Sequence, residues 1–185
     1  MRAIGRSFSA HPAWLAGALL TLAVLSAIVW YLASPLFVRT YTNEALPPPA
    51  PSLNASGAFP SSTGLMNEAS PAVGPRVLRS GELGYVDEIH NGKGPVRIID
   101  VGGRRFVRFD DVMLTNAPDV HVYLSRETGG RWDERTSLYL GALKATNGSF
   151  NYELPATTDE TSYQSVVVWC RAFRVLITWA DLMAA

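Results

Sequence analysis

The sequence predicts an all-β domain, an antiparallel β-sandwich or barrel of about eight short strands, preceded by one N-terminal transmembrane helix and a disordered linker. Three observations predict this arrangement. Residues 13–38 contain no charged side chain. Residues 40–75 are rich in proline and poor in charge. From residue 76 onward, short apolar runs alternate with turn residues such as Gly102-Gly103 and Asn147-Gly148, which tolerate the positive φ of hairpin turns.

The apolar segment 13–38 is long enough to cross a membrane. A helix of this length extends ~39 Å, whereas the hydrocarbon core of a bilayer is ~30 Å thick. The alternative is a cleaved signal peptide, whose apolar region covers about 7–15 residues and ends in small residues. At the nearest candidate cleavage site, bulky Tyr31 occupies a position that favours a small residue. Both interpretations export the rest of the chain.

The charges that flank this segment predict its orientation. Arg2 and Arg6 precede it, whereas Arg39 and Glu44 follow it and cancel. The positive-inside tendency therefore predicts a single-pass protein of the cell membrane, with residues 1–12 in the cytoplasm and the C-terminal domain outside it.

A Pro-rich flexible linker is predicted over residues 39–76. The run Pro47-Pro48-Pro49-Ala50-Pro51 favours extended polyproline II, and the rest of the segment has little apolar surface to bury. The extracytoplasmic β-sandwich domain is then expected over residues 77–185.

The strands of this domain are predicted from apolar runs between turn residues, because no later segment has a sustained helical period. The candidates are 81–86, 95–100, 104–114, 119–125, 137–144, 149–155, 163–170 and 174–180. The last part of 163–170 is apolar on both faces, which predicts a central strand.

Several function classes find no support in the composition and motifs. The chain has a formal net charge of zero, so electrostatics do not favour a nucleic-acid partner. The sequence contains no Gly-rich phosphate loop, nucleophile elbow or zinc-ligand spacing. We therefore expect no dedicated metal site and do not expect a standard enzyme.

The single cysteine, Cys170, is the first candidate for chemistry. The guanidinium groups of Arg171 and Arg174 would favour a reactive thiolate if they lay beside it. The alternative is a small buried side chain in the core. His90 and His121 are further candidate cofactor ligands, and with Cys170 and Met113 they could supply ligands to haem or copper if the fold brought them together. The cofactor, if any, stays open.

Alternation along 119–125 places Val120, Val122 and Leu124 in the core. The opposite face, formed by Asp119, His121, Tyr123 and Ser125, is then expected to be exposed. Two hypotheses follow. The domain is a redox module that uses Cys170, or it is a binding or structural module that uses this polar face.

The C-terminal part of the chain, over about residues 78–183, resembles the DM-thirteen domain, a small extracellular domain found beside DOMON domains or alone behind a bacterial membrane anchor. The most specific matching motifs are Pro118-Asp119-Val120-His121-Val122-Tyr123-Leu124-Ser125 and Val168-Trp169-Cys170-Arg171-Ala172-Phe173. Weaker matches are Ser80-Gly81-Glu82-Leu83, Phe106 with Phe109-Asp110-Asp111, Leu140-Gly141 and Gly148-Ser149-Phe150-Asn151-Tyr152. Ile177-Thr178-Trp179 stands where the family pattern has Phe-Gly.

This resemblance implies a β-sandwich that acts in electron transfer, as a single-pass, bacterial-type member of the family. It also implies that Cys170 is the redox or cofactor-binding position. The expected partners are the membrane, through the N-terminal helix, and a redox or other protein at the cell surface.

Overall fold

The computed structural model describes residues 12–48 and 74–185, in two compact units that divide after Val38. The first unit contains helix α1, Pro12–Phe37. Proline suits the first position of a helix, where its missing N–H has no intrahelical partner. Within α1, the 21 residues Trp14–Ser34 have a mean hydropathy of 2.2 and none is buried. The described residues therefore contain one N-terminal helix that is long and apolar enough to anchor the chain, and a signal sequence has the same properties.

The second unit is built almost entirely of strands. Within the described residues these are β1 (Tyr41–Asn43), β2 (Arg76–Glu82), β3 (Gly92–Lys93), β4 (Pro95–Val101), β5 (Arg104–Leu114), β6 (Val120–Ser125), β7 (Leu138–Ala142), β8 (Asn147–Glu153), β9 (Ser165–Cys170), β10 (Val175–Asp181) and β11 (Met183–Ala184). One 3-10 turn, Glu160–Ser162, precedes β9.

These strands form two sheets. In the part of the chain that is described, one sheet has seven strands in the order β1-β8-β5-β4-β2-β11, with β3 also paired to β5. The other has four strands in the order β10-β9-β6-β7. The pairings are antiparallel apart from the parallel pair β1–β8. Two open sheets rather than a closed barrel make this a β-sandwich, which confirms the predicted fold class.

Period-two alternation produces the core. Alternate residues of each strand face the other sheet, where they are shielded from water. The seven-stranded sheet contributes Val96, Ile98, Val107, Phe109, Phe150 and Tyr152. The four-stranded sheet contributes Val120, Val122, Leu124, Val166, Val168, Cys170, Ile177 and Ala180. The rings of Phe109 and Phe150 stack at 4.8 Å, so aromatic packing adds to the burial of apolar surface.

The long strands agree with their predicted ranges better than the short strands do. The 11-residue β5 spans the predicted range, and β9 lies between β10 and β6 as expected for a strand that is apolar on both faces. β2 begins at Arg76 rather than at residue 81. The short strands β1, β3 and β11 were not predicted, because two or three residues are too few to show alternation.

The start of the segment expected to be a flexible linker, 39–76, is part of the sheet. Glu44 accepts hydrogen bonds from Lys144 Nζ at 2.8 Å and from the Asn151 backbone at 2.9 Å. Gly148, with a φ of 104°, lets β1 approach closely, because a Cβ there would lie 2.0 Å from the Thr42 carbonyl oxygen. Residues 49–73 of the expected linker lie outside the described residues.

Candidate functional site

The outward face of β6 is covered rather than exposed. His121 has 8% of its surface exposed, and Tyr123 and Ser125 each have 1%. The expectation of an exposed polar face is therefore wrong for these three residues, although the Asp119 carboxylate is exposed. The physical reason is that the β6–β7 loop, residues 126–137, folds back over Tyr123 and Ser125, while Tyr139 of β7 packs against His121.

Two glycines allow this loop to lie against the sheet. Gly129 and Gly130 have φ values of 67° and 74°, a region that favours glycine. A Cβ at Gly130 would lie 2.5 Å from Cδ2 of Leu176 on β10, so a larger residue there would require the Leu176 side chain to move. The Ser125 hydroxyl then donates a hydrogen bond to the Arg131 carbonyl at 2.8 Å. The loop thereby places Trp132 over the sheet.

Four aromatic rings form a continuous chain on this face. The Trp132 ring centroid lies 4.4 Å from that of Tyr123 and 5.1 Å from that of Trp169. The Tyr123 centroid lies 5.3 Å from that of Tyr139. We call Trp169, Trp132, Tyr123 and Tyr139 the aromatic array. It contains both a buried ring, Tyr123, and a ring with 47% of its surface exposed, Tyr139.

A β-bulge brings Tyr139 into the array. Val122 pairs with Gly141, but the next residue, Tyr123, pairs with Tyr139, so the extra residue of β7 is Leu140. A bulge of this kind changes which face the following side chains occupy. Without it, Leu140 rather than Tyr139 would lie opposite Tyr123.

Arg171 sets the electrostatics around the two tyrosines. Its Nε donates a hydrogen bond to the Tyr123 hydroxyl at 2.7 Å, and its guanidinium carbon lies 4.9 Å from the Tyr139 ring centroid. Glu134 approaches the same guanidinium at 3.8 Å. Burial raises the pKa of Tyr123, and the hydrogen bond from Arg171 opposes this rise without cancelling it. The Tyr123 phenol is therefore protonated at neutral pH.

His121 links the exposed end of the array to a carboxylate. Its Nδ1 lies 2.9 Å from the Tyr139 hydroxyl, and its Nε2 lies 2.6 Å from Asp119 Oδ1. Asp119 adopts a φ of 59° immediately before β6, a region that aspartate enters more readily than most residues. This backbone turn brings its carboxylate back to the imidazole two residues later.

Cys170 faces the opposite side of the same sheet. It has no exposed surface, belongs to the core, and its thiol donates to the Pro118 carbonyl at 2.9 Å. Arg171 lies on the outer face with Tyr123, so its charge is not directed at the thiol. Exposed Arg174, with a φ of 55°, belongs to the turn after β9.

His90 lies in the loop between β2 and β3. Its Nδ1 contacts Asp87 Oδ2 at 2.8 Å. The hydrogen bond from His90 lowers the pKa of Asp87, and the same carboxylate accepts the Ile89 and His90 backbone N–H groups. This pairing organises the loop locally.

The geometry does not gather the candidate ligands into one coordination shell. Alternation places Cys170 and His121 on opposite faces of the four-stranded sheet, and His90 is paired with Asp87. Over residues 12–48 and 74–185, no three side chains among His, Cys, Asp and Glu cluster closely enough to hold a metal ion. These three residues therefore do not fit haem or copper as a joint ligand set.

Comparison with protein families identifies the class of domain that this fold and site represent. The family model described as electron transfer DM13 matches residues 85–182, more than half of the chain. The chain therefore belongs to the electron transfer DM13 family, as its resemblance predicted. Comparison with curated proteins and with solved structures gave no significant match.

The sequence indicated part of this site. Alternation placed His121 and Tyr123 together on the face of one strand that points away from the core, but it did not relate Trp169 to them. It did not identify Trp132, Tyr139 or Arg171, because a loop, a bulge and a turn bring them there. The Gly129-Gly130 pair is typical of a turn, but the sequence does not show the sheet on which this turn packs.

Proposed function

We propose that this domain is a single-electron transfer module in which electrons pass through the aromatic array. Membership of an electron transfer family supports the class of function. The observation that carries the proposal is the continuous chain of ring contacts from Trp169 to Tyr139, with centroid separations of 5.1, 4.4 and 5.3 Å. Indole and phenol rings are among the side chains that lose one electron most readily.

The position of Cys170 favours a packing role over a redox role. A thiol must be exposed to be attacked or to bind a docking cofactor, and this one is sealed in the core with its proton directed at a carbonyl oxygen. In this proposal, electron transfer uses the outer face of the four-stranded sheet and leaves Cys170 as a core side chain.

We further propose that the domain works outside the cytoplasm at the membrane surface. The apolar helix α1 supports anchoring. Arg2 and Arg6, which precede it, support a cytoplasmic N-terminus. An anchored module of this kind would exchange electrons with a redox protein at the cell surface.

Flash photolysis of the full chain in detergent micelles tests the electron path. Arg131 is exposed and adjoins Trp132, so Arg131→Cys carries a covalently attached photo-oxidant. After the flash, the rate of tyrosyl radical formation is measured. We expect Trp132→Phe to slow it by an order of magnitude or more, because phenylalanine is far harder to oxidise.

Trp132→Tyr is the matched control. It also shortens the side chain but keeps an oxidisable ring, so radical formation should stay much closer to the parent rate. If both variants form the tyrosyl radical at the parent rate, the array is not the electron path. A binding or structural role that does not use the buried face of β6 would then be the better explanation of this domain.

A further inference from the structure

The hydrogen bonds at the exposed end of the array define a direction for a proton. The Asp119 carboxylate can only accept a hydrogen bond, so His121 Nε2 carries the proton in that 2.6 Å contact. In the neutral imidazole, Nδ1 is then an acceptor. The Tyr139 hydroxyl, 2.9 Å away, therefore donates its O–H to His121 Nδ1.

The hydroxyl of the neighbouring tyrosine, Tyr123, cannot pass its proton to its hydrogen-bond partner. The Tyr123 oxygen accepts a hydrogen bond from Arg171, and a guanidinium group cannot accept a proton. The two phenols are in ring contact at 5.3 Å. Of these two hydroxyls, the Tyr139 hydroxyl is the one hydrogen-bonded to a side chain that can accept its proton.

The charge of Arg171 adds a second constraint. Its guanidinium carbon lies 4.9 Å from the Tyr139 ring centroid, with Glu134 beyond it at 3.8 Å from the guanidinium. A cationic tyrosine radical would be repelled by this charge. A neutral radical would not, so removal of an electron from Tyr139 favours simultaneous removal of its proton.

We propose that Tyr139 is a proton-coupled redox site, with His121 as its proton acceptor and Asp119 as the residue that positions and stabilises the imidazole. This inference rests on the proposed electron-transfer function and names the site at which it begins or ends. The external reactant is a one-electron, metal-centred oxidant on a partner that docks beside exposed Tyr139.

The step balances as follows. The oxidant takes one electron from Tyr139 and is reduced by one unit of charge. The phenolic O–H bond breaks, the proton forms a bond with His121 Nδ1, and a neutral phenoxyl radical remains. The imidazolium is held by the Asp119 carboxylate, as the ionised aspartate stabilises the protonated histidine in hydrolase triads. An electron from a reduced carrier reverses the step and returns the proton to the Tyr139 oxygen.

The test uses the full chain in detergent micelles, with the Arg131→Cys photo-oxidant in every variant. Electron paramagnetic resonance identifies the radical, and transient absorption gives its rate of formation in H2O and D2O. We expect Tyr139→Phe to abolish the long-lived tyrosyl signal. Tyr85→Phe, which changes another exposed tyrosine, should leave the signal unchanged.

The His121→Gln variant removes the base but keeps a hydrogen-bond acceptor for Tyr139. A glutamine oxygen can still accept the Tyr139 O–H, but the amide does not take the proton. We expect radical formation to slow by an order of magnitude or more, with the rate partly restored by added imidazole. Asp119→Asn keeps a residue that tolerates positive φ and should slow the reaction less, with the imidazole retained.

Two outcomes would overturn this assignment while the Trp132 dependence persists. One is a full tyrosyl signal in Tyr139→Phe, which would place the radical on another tyrosine. The other is that His121→Gln forms the tyrosyl radical at the parent rate and that neither the variant nor the parent shows a solvent isotope effect. Loss of the Trp132 dependence would overturn the proposed electron path instead. Unchanged thermal unfolding of each variant excludes loss of the fold as the cause.

Discussion

At the scale of single residues, burial and neighbours decide which side chains can react. The sequence drew attention to Cys170 because it is the single cysteine and two arginines follow it. The fold instead places its thiol in the core beneath the Pro118 carbonyl. It places the oxidisable rings of Tyr139 and Trp132 over the opposite face of the four-stranded sheet. Sequence spacing does not reveal the charged side chains that surround these rings.

We predict that the Cys170 thiol of the native chain resists alkylation. A fully buried group reacts only when the structure opens, so labelling should be slow in buffer and complete in denaturant. Cys170→Ala should lower the free energy of unfolding by about 1 kcal/mol, measured by urea titration. The introduced cysteine of Arg131→Cys is the control that should label at once. Rapid stoichiometric labelling of the native parent chain would contradict the buried assignment.

The candidate site was only partly predictable for a local reason. Period-two alternation correctly grouped His121 with Tyr123, because both lie on β6. Tyr139 joins them only through the extra residue Leu140 in β7, and a bulge shows no signature in the alternation of a five-residue strand. Trp132 lies in a loop, where no periodicity relates a side chain to a face.

At the scale of elements, the strand β1 is held by a carboxylate. Burial tends to raise the pKa of Glu44, but hydrogen bonds from Lys144 and Asn151 outweigh it and lower the pKa below 4.5. The pKa is thus lower in the folded state than in the unfolded state. The carboxylate therefore stabilises β1 docking above pH 4.5, and this stabilisation is lost as pH falls through the folded-state pKa.

We expect Glu44→Gln to loosen β1 at neutral pH and to flatten this pH dependence. The free-energy change should be about 1 kcal/mol, because the Glu44–Lys144 ion pair is partly exposed and therefore screened by solvent. Amide hydrogen exchange of residue 44, whose N–H donates to the Ser149 carbonyl, measures the opening. Glu88→Gln, in the loop after β2, is the control. Equal protection in parent and Glu44→Gln chains at every pH would refute this role.

At the scale of the whole molecule, the sequence predicted the fold class better than it predicted the arrangement of the strands. The β-sandwich class followed from eight apolar runs, and the long strands β4, β5 and β10 lie within one residue of their predicted ranges. Which strands neighbour one another was not predictable, because sequence order does not fix pairing in an open sandwich. The docking of residues 40–45 was also missed, because their composition resembles that of a linker.

Membrane orientation gives a prediction for the intact protein. Two arginines before α1 and cancelling charges after it favour export of the C-terminal unit. Protease added to intact cells should therefore degrade the domain and spare an N-terminal epitope tag. Permeabilised cells, in which both ends become accessible, provide the control. A domain that stays protected until permeabilisation would require the opposite orientation.

The pairing of β1 with β8 also changes what the proline-rich segment does in the chain. Both of its flanks, β1 and β2, belong to one sheet, so residues 49–73 begin and end on the same folded body. Because loop-closure entropy changes by only about 0.6 kcal/mol per doubling of length, evolution can lengthen or shorten this insertion at little cost in stability.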